Sequence, residues 1–403
     1  MYINRVIKKD FFSFILVILV MATIYAIPDK NHINIIIRLF FILIMGIKYF
    51  NFKIKENANV IFFLWSFLFI VMCFFNTLIS ADIKSSLIVL ITVIQSFAVV
   101  YLLYCWVKTK NKLIFLFKTI IILDLVLCIR TLLNLDFSRF GFGKIGYIMG
   151  VNSNALAIRF TFAFLISLYL YYLEAKKNKI IYMISIVFNL TLILITGSRR
   201  ALIITFFCYA IFMFKKSTDI SKILKNILLI LMGIVIIYQL IIKIPELYNI
   251  IGSRIQSSMQ GFFSSDSSVL GADRTDLIEV SIQLYIKKPI FGWGIGSFSV
   301  VSGSTLPYSH NNYVELLFAT GIIGFLIYYS IYIYILKKIK FLKIGVKLDD
   351  CLLTIIFVAL LLSDIASCNY SSIVTISIIA IAIKIIYLSD TEIRRVDKHY
   401  VGK

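Results

Sequence analysis

Charge is scarce in this sequence. Asp, Glu, Lys and Arg make up 15% of its 403 residues, against about 25% in an ordinary soluble domain. Only three histidines occur. Six cysteines are present (Cys73, Cys105, Cys128, Cys208, Cys351, Cys368), with no CxxC pair, and all lie in or at the ends of apolar segments. Neither a disulfide framework nor a structural zinc site has support. Walker, DxD, HExxH and GxSxG motifs are absent as well.

What the chain has instead is apolar length, with 61% hydrophobic residues. A helix needs about 20 mostly apolar residues to cross a bilayer. Twelve segments approach that: 11–27, 33–50, 58–79, 86–107, 112–133, 153–173, 180–196, 200–214, 226–244, 312–336, 351–368 and 371–388. The runs are continuous rather than alternating, so they read as helices and not as barrel strands. The expectation is an all-α integral membrane protein of about twelve transmembrane helices, residues 1–403 forming one polytopic domain. Arg5, Lys8 and Lys9 precede the first run, but no small-residue cleavage site follows Ile27. We read it as an uncleaved helix.

The net charge of +21 would hint at nucleic acid on a soluble protein. Here it tracks topology. With a cytoplasmic N-terminus, the inner segments hold 25 Lys and Arg; the short outer loops hold only Lys30, Lys84, Arg139, Lys144, Arg199 and Arg200. This asymmetry predicts that both ends are cytoplasmic, and nucleic acid is not an expected partner. One connection is long: residues 245–309 form a predicted external loop between helices nine and ten. Loops of that length are usually functional or disordered. Within it Leu277, Val280 and Leu284, with Ile278, Ile282 and Tyr285, predict an amphipathic helix lying on the membrane surface, ended by Pro289. No internal repeat is visible, so the duplicated halves of many transporters are missing.

Arginine is distributed unevenly. Three of the 25 inner cations are Arg, against five of eleven outer ones: Arg139, Arg199, Arg200, Arg254 and Arg274. Topology needs only positive charge, whereas Arg grips phosphate through a planar fork. The outer arginines therefore point to a phosphate or pyrophosphate ligand, the competing role being contact with lipid headgroups. Arg199 and Arg200 follow Thr196-Gly197-Ser198 at a helix start, where free N–H groups already favour anions.

The second feature is Ser309-His310-Asn311-Asn312-Tyr313-Val314-Glu315, where the long loop re-enters the membrane. A histidine takes up a proton near neutrality, as a sugar hydroxyl acting as nucleophile requires. Asn312 as N-cap with Glu315 as its capping-box partner accounts for the same polar cluster without chemistry. Ionisable residues inside the apolar runs (Arg38, Lys118, Asp124, Arg130, Arg159, Asp364, Lys384) cost about 2.5–3.5 kcal/mol each unless paired or lining a cavity. Arg159 lies near the outer end of its helix, within reach of an external cavity.

Three segments together resemble the bacterial O-antigen polymerase and O-antigen ligase superfamily. The first is Thr196-Gly197-Ser198-Arg199-Arg200-Ala201-Leu202, similar to that family's Ser-Arg-Gly motif, with Arg200 in place of the usual Gly. The second runs from Asp273-Arg274-Thr275 to Lys288-Pro289-Ile290-Phe291-Gly292-Trp293-Gly294-Ile295-Gly296. It resembles the family's Arg-led amphipathic helix followed by Pro-x-x-Gly-x-Gly. The third, His310-Asn311-Asn312-Tyr313-x-Glu315 with Thr320-Gly321-Ile322-Ile323-Gly324, is close to its His-Asn…Glu…Gly-x-x-Gly signature. Asn154-Ala155-Leu156-Ala157 looks like its Asn-x-Leu-Ala segment.

The resemblance implies a C-type glycosyltransferase fold and a multi-pass enzyme of the bacterial inner membrane. Its donor would be a polyprenyl-pyrophosphate-linked oligosaccharide, and its activity polymerisation of repeat units or, as the alternative, ligation of finished polymer. A polysaccharide or lipid transporter is the remaining class. In the enzyme reading His310 serves as base, held by Glu315, while Arg199, Arg200, Arg254 and Arg274 meet the pyrophosphate. Asn154, Arg159 and Asn311 line the substrate site. Neither metal nor cofactor is called for. Membrane lipid, a chain-length regulator and a flippase are the implied partners.

Overall fold

The apolar runs fold as helices because a buried or lipid-facing backbone must satisfy its own N–H and C=O groups. The computed structural model describes residues 2–26, 32–50, 57–134, 152–175, 178–217, 219–253, 256, 272–341, 347–365 and 367–401. Its longer helices are α1 (Tyr2–Tyr25), α2 (His32–Phe50), α3 (Asn57–Leu78), α4 (Ile83–Trp106), α5 (Lys110–Leu133), α6 (Ser153–Leu173), α7 (Lys179–Ile195), α8 (Arg199–Lys216) and α9 (Ile220–Lys243). After a short π-turn at Tyr248–Gly252 come α10 (Ala272–Lys287), α11 (Phe298–Ser302), α12 (Asn312–Phe341), α13 (Lys347–Asp364) and α14 (Ile373–Val401). No strand occurs among the described residues.

Each of the twelve apolar segments falls on a helix. Six of these, α2, α3, α4, α6, α12 and α14, are long and apolar enough to cross a membrane by length and composition. Others fall short for visible reasons. Helix α8 has 18 residues, but two at each end are the cations Arg199, Arg200, Lys215 and Lys216. Helix α5 carries Lys118, Asp124 and Arg130 within its run.

Side-chain caps start several helices: Asp82 takes the Ser85 N–H, Asn152 the Asn154 N–H and Ser198 the Ala201 N–H. Such caps satisfy donors that the helix itself leaves open. Helices α6 and α14 form the centre, with 83% and 89% of their apolar windows buried, against 22% for α2. Around α6 pack α5, α7, α8 and α13; α14 packs against α3, α4, α12 and α13. Helix α2 turns Ile36, Leu39, Leu43 and Ile47 outward, a stripe at helical spacing suited to hydrocarbon.

Ion pairs gather at one end of the bundle: Lys110–Asp349, Lys215–Asp350, Lys338–Asp390 and Lys118–Glu174, all between 2.6 and 2.9 Å. These residues come from the first turns of α5 and α13 and the last turns of α8 and α12, or lie close by. The starts of α2, α6 and α14 meet at the other end, around a cavity. The starts of α5 and α13 and the ends of α8 and α12 thus lie at one end, and the starts of α2, α6 and α14 at the other.

Helix α12 is broken at Gly321, whose φ of 63° and ψ of −169° are not helical. The segment after α10 enters this break. Trp293 and Gly294 donate to the carbonyls of Phe318 and Ala319, and Ile322 donates to that of Pro289, each at 2.9 Å. Asn76 of α3 holds the Phe291 carbonyl at 3.0 Å. A Cβ at Gly321 would lie 2.2 Å from the Ile290 oxygen, and one at Gly292 2.5 Å from the Phe318 oxygen. The Gly-x-Gly run is thus an interlock with α12. The amphipathic helix exists as α10, which buries Leu277 and Ser281 and exposes Ile282 and Ile286, and it packs on α12.

Candidate active site

A cavity of about 390 Å³ opens at the end of the bundle away from the ion pairs. Five separate stretches wall it. Helix α2 gives Ile35 and Arg38, and α4 gives Thr92, Gln95 and Ser96. The start of α6 gives Asn152, Asn154, Ala155, Ile158 and Arg159; the turn before α12 gives Tyr308 and His310. Residues Ser367 to Asn369 and Ser371 to Thr375 complete it. Among these lining residues none is acidic. Two guanidinium groups, one imidazole, four side-chain amides and a set of hydroxyls make a lining suited to a polyhydroxylated, anionic ligand. The starts of α6 and α14 both face it, adding their helix-end N–H groups.

His310 owes its position to an unusual backbone. Among the described residues it is the one non-glycine with positive φ, at 61°. That conformation costs roughly 1–2 kcal/mol for an L-residue, and strain of this kind collects at functional sites. Its neighbours hold it there. Asn311 caps α12: its Oδ1 accepts the N–H groups of Tyr313 at 3.0 Å and Val314 at 3.2 Å. Buried Glu315 accepts the Ser309 N–H at 2.8 Å. The Tyr308 ring stands edge-on to the imidazole, 4.6 Å between centroids.

Asn312 is not the cap. Its side-chain oxygen accepts the N–H groups of Asn369 and Tyr370 at 2.8 and 2.9 Å, and its amide donates to the Tyr329 hydroxyl. Tyr329 and Tyr332 both donate to Asp364, which also accepts from the Asn369 amide at 2.7 Å. This buried network joins α12, α13 and the turn before α14 beneath the cavity.

The site residues read from sequence are distributed as follows. His310, Asn154 and Arg159 line the cavity. Arg200 reaches its rim, donating to Ser367 Oγ at 2.8 Å. Arg199 opens the same helix without being a lining residue. Glu315 lies one turn behind the wall and Asn311 is engaged as a cap. Arg274 sits in the first turn of α10, where only its backbone is described; Arg254 and Arg139 lie outside the described residues. Sequence reasoning missed Gln95, Asn369 and the α14 start, and it placed Arg38 only among intramembrane charges. Among the described residues no cluster of three or more His, Cys, Asp or Glu side chains is arranged to hold a metal.

Helix count, cavity and ion-pair asymmetry together define a multi-pass α-helical membrane protein with a polar chamber at one end. Residues 181–329 match the family model described as O-antigen ligase, so the resemblance seen in the motifs holds over that segment. It contains Arg199, Arg200, the α10–α12 interlock, His310 and Glu315. No curated protein matches the chain.

Proposed function

We propose that the protein is a glycosyltransferase that polymerises lipid-linked oligosaccharide repeat units, using a polyprenyl-pyrophosphate donor on the outer face of the bacterial cytoplasmic membrane. The observation that carries this is the cavity: it brings His310 and Arg159 from distant parts of the chain into one chamber whose described lining has no carboxylate. The acceptor hydroxyl attacks the anomeric carbon of the donor, the bond from that carbon to the phosphate oxygen breaks, and the polyprenyl pyrophosphate leaves. His310 takes the hydroxyl proton. Glu315 supports it through the Ser309 amide.

Arg159 and rim residue Arg200, with Arg199, Arg254 and Arg274, neutralise the leaving group, where charge stabilisation gives most rate. Asn154 and Asn311 belong to the sugar-binding wall or its frame. The large loop of residues 245–309 is external in this reading, and α10 within it packs on α12. A flippase supplies the donor and a chain-length regulator limits the product. The family match favours a second reading, transfer of finished polymer to a different acceptor, with the same donor site.

The test is chromosomal replacement of His310 by Asn, which tolerates a left-handed backbone, followed by sizing of polyprenyl-linked glycans. Accumulation of single repeat units supports the polymerase. Long lipid-linked polymer that is never transferred supports the ligase. An unchanged profile removes His310, and the enzyme reading with it. Full activity in the Arg199→Ala, Arg200→Ala double variant would end the assignment of those two to pyrophosphate.

A further inference from the structure

Arg38 lies on α2, far outside the segment that resembles a known family, yet it lines the same cavity as His310. It is 7% exposed. Its guanidinium is held in plane by Thr23 of α1: Nε donates to Oγ1 at 3.1 Å and Nη2 to the backbone oxygen at 2.9 Å. Thr23 in turn donates its own hydroxyl hydrogen to the Val20 carbonyl at 2.7 Å, so its oxygen presents a lone pair to Arg38. These bonds fix orientation through neutral dipoles. Arg38 and Arg159 are each the seventh residue of their helices, α2 and α6. At 1.5 Å rise per residue both lie about 9 Å in from the helix starts. Two guanidinium groups set equally far into their helices, with Arg38 held in a fixed orientation, in a chamber with no acidic group in its described lining, suit a diphosphate.

We propose that Arg38 is an anion-binding residue of the donor site, gripping the pyrophosphate of the lipid-linked donor together with Arg159. The inference rests on the glycosyltransferase reading above and adds to it a ligand from the N-terminal helices. It also gives the first two helices a part in the site. Helix α1 carries the Thr23 bracket and α2 the fork, while the outer face of α2 meets lipid.

The experiment is equilibrium binding of inorganic pyrophosphate to the purified full-length protein in detergent, with no glycan substrate. Hydrogen bonds to charged groups carry enough energy that Arg38→Gln should weaken binding about tenfold to a hundredfold. Arg159→Gln should do the same, while Lys338→Gln, at the ion-pair end of the bundle, leaves binding close to wild type. Wild-type affinity in a well-folded Arg38→Gln protein overturns the proposal. Should that variant fail to accumulate, Arg38→Lys decides, since it keeps the charge and loses the fork: weaker binding supports the proposal and unchanged binding overturns it. If Arg159→Gln weakens binding and Arg38→Gln does not, only the role of Arg38 falls. If wild type binds no pyrophosphate and His310→Asn also leaves the glycan profile unchanged, the glycosyltransferase reading falls with it.

Discussion

The side-chain oxygen of Asn312 accepts the backbone N–H of Asn369 at 2.8 Å, across 57 residues of sequence. Through that bond the first turn of α12, which follows His310, is fastened to the turn that lines the cavity before α14. Replacing Asn312 by Leu orphans the Asn369 and Tyr370 amides, both buried. Each orphaned group costs about 1–3 kcal/mol. We expect Asn312→Leu to lower the thermal midpoint and to reduce transfer in proportion more than Asn369→Ala does. Equal midpoints for Asn312→Leu and wild type would refute the role of this clasp.

Gly321 and Gly303 separate strain from collision. Both have positive φ, 63° and 70°, but a Cβ at Gly303 meets nothing within 4 Å whereas one at Gly321 lands on Ile290. Gly303→Ala should cost only the backbone term, about 1–2 kcal/mol. Gly321→Ala should cost clearly more, because the 288–294 segment must leave the break in α12. Thermal melts monitored by intrinsic tryptophan fluorescence would report both, and Trp293 sits inside the interlock.

His310 holds its position at a cost in backbone strain that glycine would not bear. His310→Gly should raise stability by about 1 kcal/mol while abolishing transfer. A variant that is both more stable and inactive separates the chemistry of the imidazole from the architecture of its turn. Loss of stability in His310→Gly would contradict this account.

The ion-pair end should respond unevenly to mutation. Asp349 is buried and accepts from Lys110 at 2.8 Å and from the Tyr169 hydroxyl at 2.6 Å. Asp350 is more exposed and pairs with Lys215. Asp349→Ala should destabilise by about 1–3 kcal/mol, since it strands a buried hydroxyl. Asp350→Ala should cost less than about 1 kcal/mol, in line with exposed pairs.

Glu174, just beyond the end of α6, carries a pH prediction. Burial raises its carboxyl pKa, but hydrogen bonds from Lys118 and Asn178 outweigh that and leave it below the ordinary value of 4.5. A folded-state pKa below the unfolded one gives stability that is present above the unfolded value and lost as pH falls through the folded one. Wild type should therefore melt above Glu174→Gln at neutral pH, and the gap should close as pH drops below about 4.5. A gap that persists unchanged in acid would exclude the ion pair as its source.

The legible part of the sequence was periodic or local. Twelve apolar runs landed on helices, α10 stands where its amphipathic spacing put it, and Pro289 follows its last turn. Arg159 and His310 stand out in the sequence by their places near helix starts and Asn154 by its likeness to the Asn-x-Leu-Ala segment, and all three line the cavity. What stayed hidden is convergence across long separations. Nothing local to α2 announces that Arg38 faces a chamber shared with His310, because the exposed stripe beside it reads only as lipid contact. The Gly292-Trp293-Gly294 run shows in the sequence only as a likeness to the family's Gly-x-Gly, with no role attached. Its glycines serve close backbone approach, a requirement set by α12 some 25 residues later. The capping role fell to Asn311 rather than Asn312, a shift of one position that frees the Asn312 amide for the bond to Asn369.

The chamber is assembled from residues 35–38, 92–96, 152–159, 308–310 and 367–375, stretches that together span most of the chain. No contiguous half owns a complete wall. Such a protein cannot diversify by exchanging or duplicating modules, as a repeat-built transporter can. New ligand preferences have to be acquired by point changes within a single indivisible frame.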